Sequence, residues 1–356
     1  IPTARAEFAF VLNSKDDDIS LIDTKTYQVV RRIPVGKEPH HLIPTPDNKR
    51  LIVANAAGND LVVFDPHTAE VLQRIPRIPD PYHLGFSPDQ KWFVITANRL
   101  NRVDIYHHDQ GQLKLAAKIP MPDTTSHMAF RPDSRVVYVT VQETHQVAAI
   151  DLPTQKVIWK VTTGRQPAGI WLTPDNKHLL VGITGEDYVQ VLSPDDGRTV
   201  KKLMTGKSAH NFLPKGDGRH VLLSNRTENT ISVIDMKELK IVDTIQVPGG
   251  PDDMELTADG GELWITSRWI NRVTVIDLKT KKIKASIRVG PSPHGIYFHT
   301  HAPRIYVAEH CGPTTALTFM PCFQTPVWRT RAPQGVGNTP RRGRAQAVRA
   351  RATRPE

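Results

Sequence analysis

Polar and apolar residues alternate in short blocks along most of the chain. In residues 40–75, His41, Leu42 and Ile43 begin one apolar block, and Pro46-Asp47-Asn48-Lys49 ends it as a turn. Proline presets φ there, and Asp and Asn side chains bond the backbone ahead of them. Leu51 to Ala54 form a second block, Asn55 to Asn59 a loop, and Leu61 to Phe64 a third block closed by Asp65 and Pro66. Thr68 to Arg74 make a fourth, more polar block. Four short strands in about 40 residues predict one blade of a β-propeller.

The unit recurs. Turns of the same kind carry Asp47, Asp89, Asp133, Asp175, Asp217 and Asp259, separated by 42, 44, 42, 42 and 42 residues. The third strand ends on Asp23, Asp65, Asp151, Asp235 and Asp277, read as acceptors for the turn that follows, with His107 and Ser193 in the equivalent places. The longer unit has an extended third-to-fourth hairpin, His107 to Gln112. First strands are expected near residues 41, 83, 127, 169, 211, 253 and 295, and the N-terminal segment supplies three more strands, Phe8 to Leu12, Ile19 to Ile22 and Tyr27 to Ile33. Each blade has an apolar face that only a neighbour can cover, so the array must close. Pairing the strand near Gly295 with the N-terminal strands does so and removes the open sheet edges. The expected fold is all-β: a seven-bladed β-propeller of four-stranded antiparallel blades over residues 7–310, closed by N-terminal strands pairing with the C-terminal blade. Arg304 to His310 reads as a surplus second strand competing with Phe8 to Leu12.

Charge and cysteine content change the picture only at the ends. The formal net charge is +10, but residues 311–356 hold eight Arg and a single acid, Glu356. That leaves 38 basic against 35 acidic residues in the body, so no nucleic-acid surface is expected. Cys311 and Cys322 also lie in the tail, and no C-x-x-C motif or disulfide framework exists. The tail loses all alternation and is read as disordered or as a non-native extension. No apolar run approaches the roughly 18 residues of a membrane span. Thr3-Ala4-Arg5-Ala6 fits the small-residue end of a secretory signal, so residues 1–6 are read as its remnant and the protein as exported; separately, a monomer is expected.

In a propeller the residues that open each first strand ring the mouth of the central channel. Here they are His40, Tyr82, Ser126, Ala168, His210, Asp252 and His294, followed by His41, His83, His127, Gly169, Asn211, Asp253 and Gly295. Six of the fifteen histidines fall in these two rings. Loops between second and third strands add Asn55, Asn98, Arg99, Asn225, Arg226, Arg268 and Trp269 to the same face. Imidazole is a ligand for transition metals and haem iron, and guanidinium forks grip carboxylates or phosphates. Three readings stand side by side: histidines that merely bond neighbouring blades, a metal site or haem-like macrocycle held by His40, His41, His83, His127, His210 and His294, and a small anionic ligand or peptide held by the arginine and asparagine positions. No G-x-S-x-G, H-E-x-x-H, P-loop or G-x-G-x-x-G motif assigns a reaction.

The segments L-I-V-A-N at 51–55 and N-T-I-S-V-I-D at 229–235, with V-G-x-x-P at 35–39 and 289–293, resemble the YVTN β-propeller repeat. The resemblance spans residues 7 to about 308. Its members are mostly exported proteins of periplasm or surface layers, and the repeat is similar to the haem d1 propeller of cytochrome-type nitrite reductase. That propeller has eight blades, and this chain carries no C-x-x-C-H haem motif. The resemblance implies an exported module that presents its channel mouth to a ligand or an envelope protein. The alternative it implies is a redox protein holding a haem-like ring or copper.

Overall fold

The computed structural model describes residues 7–302. The segments 1–6, 304–310 and 311–356, for which a signal remnant, a surplus strand and an irregular tail are expected, lie outside the described residues. Seven sheets form, each of four antiparallel strands. The innermost strands are Pro39–Pro44, Pro81–Phe86, Thr125–Phe130, Pro167–Leu172, Ala209–Pro214, Pro251–Leu256 and Pro293–Phe298. Each lies against the next around the axis, and the last lies against the first. The closing blade pairs Phe8–Asn13 with Pro293–Phe298, setting Ala9 opposite Phe298 and Val11 opposite Ile296. Among the described residues no helix is long and apolar enough to cross a membrane.

The blades cohere through apolar layers between neighbours. Phe10, Leu12 and Tyr297 of the closing blade pack with Val53, Val62 and Phe64 of the next. On its other side Trp264, fully buried, lies 5.6 Å from the Tyr27 ring and 5.7 Å from Phe298. Turn chemistry follows the repeat. Asp47, Asp89, Asp133, Asp175, Asp217 and Asp259 each accept a hydrogen bond from the amide two residues on. The third-strand aspartates do the same work one turn later. Asp65 Oδ1 takes the amides of His67 and Thr68 at 2.7 and 3.1 Å, so the fourth strand there starts at Val71 rather than Thr68. The extended hairpin is present, with strands Arg102–Asp109 and Gln112–Pro120.

Inner strands begin two residues earlier than the apolar pattern indicates, and the reason is a bulge. Pro39 pairs with Asn55 and His41 with Ala54, leaving His40 as an extra residue. Tyr82 is extra in the same way between Pro81 and His83. The register also shifts between Thr125 and Met128, Pro167 and Ile170, Ala209 and Phe212, Pro251 and Met254, and opposite Val11 to Asn13 in the closing blade. Every blade therefore bends at its channel end. Among the glycines Gly169 leaves the least room: an added Cβ would stand 2.0 Å from the His210 carbonyl oxygen of the next blade. We expect Gly169→Ala to lower stability by about 1–3 kcal/mol, because backbone rather than a flexible side chain must yield. Thermal unfolding measures this, and an unchanged midpoint would mean that the two blades are free to separate.

Candidate functional site

Along a regular strand adjacent side chains point to opposite faces. The bulge breaks that rule at the channel mouth. His40 and His41, although adjacent, approach to 2.9 Å between their Nδ1 atoms. The amides at the bulge are satisfied by hydroxyls of the second strand. Thr96, Thr140, Ser224 and Thr266 accept from the N–H groups of His83, His127, Asn211 and Asp253 at 2.9 to 3.2 Å. Thr96 and Thr140 also donate to the Ser126 and Ala168 carbonyls of the next blade. These hydroxyls are supporting residues that the motif reading passes over. Their signal is present in the sequence, as a Ser or Thr near the end of each of these second strands.

The six histidines converge. Ring centroids are 3.8 Å apart for His40–His294, 4.6 Å for His41–His83 and His41–His294, 5.0 Å for His83–His127, and 5.4 Å for His127–His210. His40, His41, His127, His210 and His294 are buried, and His83 is partly exposed. Three overlapping triads each bring one ligand atom per residue within 4.8 Å of the others: His40, His41 and His294; His41, His83 and His127; and His210, Asp252 and His294.

A hydrogen bond assigns the tautomer of His41. His41 Nδ1 lies 2.8 Å from the Tyr82 carbonyl oxygen, which can only accept, so Nδ1 carries the proton. The bare Nε2 is buried with no hydrogen-bond partner. His127 Nδ1 is held by Ser126 Oγ at 2.9 Å, and its Nε2 is likewise buried and unpartnered, as is His83 Nδ1. An imidazole whose far nitrogen is held by a carbonyl or hydroxyl is oriented as metal-binding histidines are.

One side of the cluster is charged. Fully buried Asp252 lies 3.1 Å from His210 Nε2 and 3.6 Å from His294 Nε2. It also accepts from Arg226 Nε at 3.0 Å and Arg268 Nη1 at 3.1 Å. Asp253 accepts from Asn211 and stands 3.3 Å from His294 Nδ1. Burial by itself raises both carboxyls, but the Arg226 guanidinium with His294 and His210 holds Asp252, and His294 with His41 holds Asp253, well below the ordinary carboxylate range. Burial, reinforced by neighbouring imidazoles, pushes His40, His41 and His127 well down. Burial also brings His83 and His210 down to about 4.

The remaining sequence candidates have local partners. Arg99 bonds Glu38 and Asp80 at 2.7 and 3.0 Å. Asn55 bonds the Val35 carbonyl and Asp60, Asn98 the Thr125 carbonyl, and Asn225 the hydroxyls of Thr230 and Ser232. Trp269 is 56% exposed and sits over Gly250. The structure thus joins Arg226 and Arg268 to the histidines through Asp252, and ties Arg99 and the three asparagines into loop geometry.

Two outcomes follow. For metal-free protein, His40, His41, His83, His127 and His210 favour the neutral form in the fold, so the unfolded chain binds more protons below pH 6.5. Stability is full above that value and falls as pH drops toward about 4, with Asp252 and Asp253 adding further loss below 3.8. Denaturant titrations across this range in chelator measure it, and a flat profile contradicts the buried neutral cluster. Separately, Asp252→Ala leaves two guanidiniums facing the cluster uncompensated and lowers stability by about 3–5 kcal/mol. A loss below about 1 kcal/mol would contradict its place as the central counter-charge.

Comparison with known proteins agrees with this architecture. No curated protein matches the chain by sequence at a significant level. Among solved structures, a functionally unknown protein from Desulfotomaculum acetoxidans is 16% identical, with 82% of this chain and 98% of that one covered at a TM-score of 0.70. The periplasmic gluconolactonase PpgL of Pseudomonas aeruginosa is 17% identical, with 83% and 99% covered at 0.70. Dihydro-haem d1 dehydrogenase NirN in complex with DHE is 14% identical, with 83% and 76% covered at 0.62. At these identities the likeness is one of fold. A sequence profile described as YNCE-like beta-propeller matches residues 2–304, and the chain belongs to that family.

Proposed function

We propose that this propeller is an exported binding module that captures a first-row transition-metal ion at the mouth of its central channel. The observation that carries this reading is the His41, His83 and His127 triad, whose ring nitrogens lie within 4.8 Å of one another and include buried atoms with no hydrogen-bond partner. An unpaired buried nitrogen costs free energy unless a ligand or proton takes it. One ion with metal–nitrogen bonds of about 2.0–2.1 Å reaches all three once each nitrogen moves inward by no more than about 0.7 Å. The rings pack too closely to admit a macrocycle between them, which favours an ion over a haem-like group. An anionic ligand gripped by arginine has less support, because Arg226 and Arg268 bond Asp252 and Arg99 bonds Asp80 and Glu38. Export is supported by Thr3-Ala4-Arg5-Ala6 and by the periplasmic location named for the Pseudomonas gluconolactonase.

Elemental analysis of the purified full chain, followed by titration with Zn(II), Ni(II) and copper, tests the reading. About one equivalent should bind, and His41→Ala and His127→Ala should each weaken binding at least tenfold while leaving the circular dichroism spectrum unchanged. A chain that purifies free of metal and takes up none of the three would end the proposal.

A further inference from the structure

The nitrogens of the triad are closed off from solvent. His41 Nε2, His83 Nδ1 and His127 Nε2 are all buried. A side chain must therefore move before an ion can enter, and the residues set just before the triad show which one. His41, His83 and His127 each follow a member of the first ring, namely His40, Tyr82 and Ser126. His40 is buried and packed on His294, with ring centroids 3.8 Å apart. Ser126 is fully buried and bonded to His127 Nδ1. Tyr82 alone of the three is partly exposed.

Tyr82 also lies across the mouth. Its phenol ring stands 4.2 Å from His40 and 5.3 Å from His41 of the preceding blade, and 6.2 Å from His127 of the following blade, perpendicular to it. Its hydroxyl reaches Ser126 and feels the charges of Arg226, Arg268 and Asp252. Those three belong to the two blades opposite Tyr82 in the circle, so the side chain projects inward over the axis. The bulge makes this possible. Tyr82 is the extra residue between Pro81 and His83, which turns its ring and the His83 imidazole to the axis together. Its carbonyl is held by His41 Nδ1 at 2.8 Å, so the backbone stays in place while the side chain turns about its own torsions.

Resting on the metal-capture reading, we infer that Tyr82 is the gate of the His41, His83 and His127 site: its ring swings outward to admit an ion and closes again over the three imidazoles. A gate that closes equally over the empty and the filled site slows entry and exit by the same factor and leaves the affinity unchanged. A residue that only positions ligands acts otherwise, changing the affinity chiefly through release. The two roles are separated by rates, not by affinity alone.

Uptake of Zn(II) by the full chain is followed by stopped flow with a chromophoric indicator, and release by transfer to excess chelator; Ni(II) and copper are followed in the same way. A gate open about one-tenth of the time slows entry on the order of tenfold, so Tyr82→Ala should speed both uptake and release by about that factor, with the dissociation constant within about threefold of wild type. Tyr82→Phe keeps the ring and should stay close to wild type in both rates. Tyr82→Leu, a milder truncation that retains apolar packing on His40, should move both rates in the same direction as Tyr82→Ala, and it decides the matter if that variant folds poorly. If truncation leaves both rates unchanged, or weakens affinity through release alone, the gate inference fails while metal capture stands. If wild type takes up none of the three ions, both fall together.

Discussion

Each of the seven inner strands carries one more residue than the strand it pairs with, and the channel mouth depends on that surplus. Without it, neighbouring residues such as His40 and His41 or Asp252 and Asp253 would point to opposite faces of their blade. With it, both members of each pair come to the axis. The unpaired amides that a bulge creates are absorbed in four blades by Thr96, Thr140, Ser224 and Thr266. The same hydroxyls, where they donate to the next blade, tie the bend to ring closure.

Such a mouth concentrates polar groups where water is scarce. Six imidazoles and two carboxylates stand within one small volume, most of them buried. The arrangement is tolerable because Asp252 is matched by Arg226 and Arg268, Asp253 is held by Asn211, and burial favours the neutral form of His40, His41, His83, His127 and His210. Asp252 is the hinge of that balance, touching two guanidiniums and two histidines at once. The division leaves ring nitrogens without hydrogen-bond partners on the side of His41, His83 and His127, and a salt-linked group on the side of His210 and His294.

Local order and global closure support each other here. The aspartates that end the third strands and those in the hairpin turns bond backbone amides two or three residues on, so each blade can form its own turns. The apolar layers lie between blades, so no blade buries its faces alone. Stability is then shared around the ring, and the strand Pro293–Phe298 that joins the two ends of the described chain is what completes it.

The sequence by itself determined the blade count, the antiparallel order within each blade and the closure by N-terminal strands. The reason is that turn aspartates and apolar blocks act over a few residues and repeat at a near-constant spacing. It also placed six histidines at blade junctions, since junction positions keep their distance from the turn aspartate. Only the tertiary structure decided what those side chains meet. His40 touches His294 across 254 positions of chain, and Arg226 and Arg268 turn out to serve Asp252 rather than an open surface. Which nitrogen of His41 is bare depends on the Tyr82 carbonyl of the neighbouring blade. Contacts of this kind arise from ring closure and bulge geometry, which bring distant residues together along directions that no local pattern encodes.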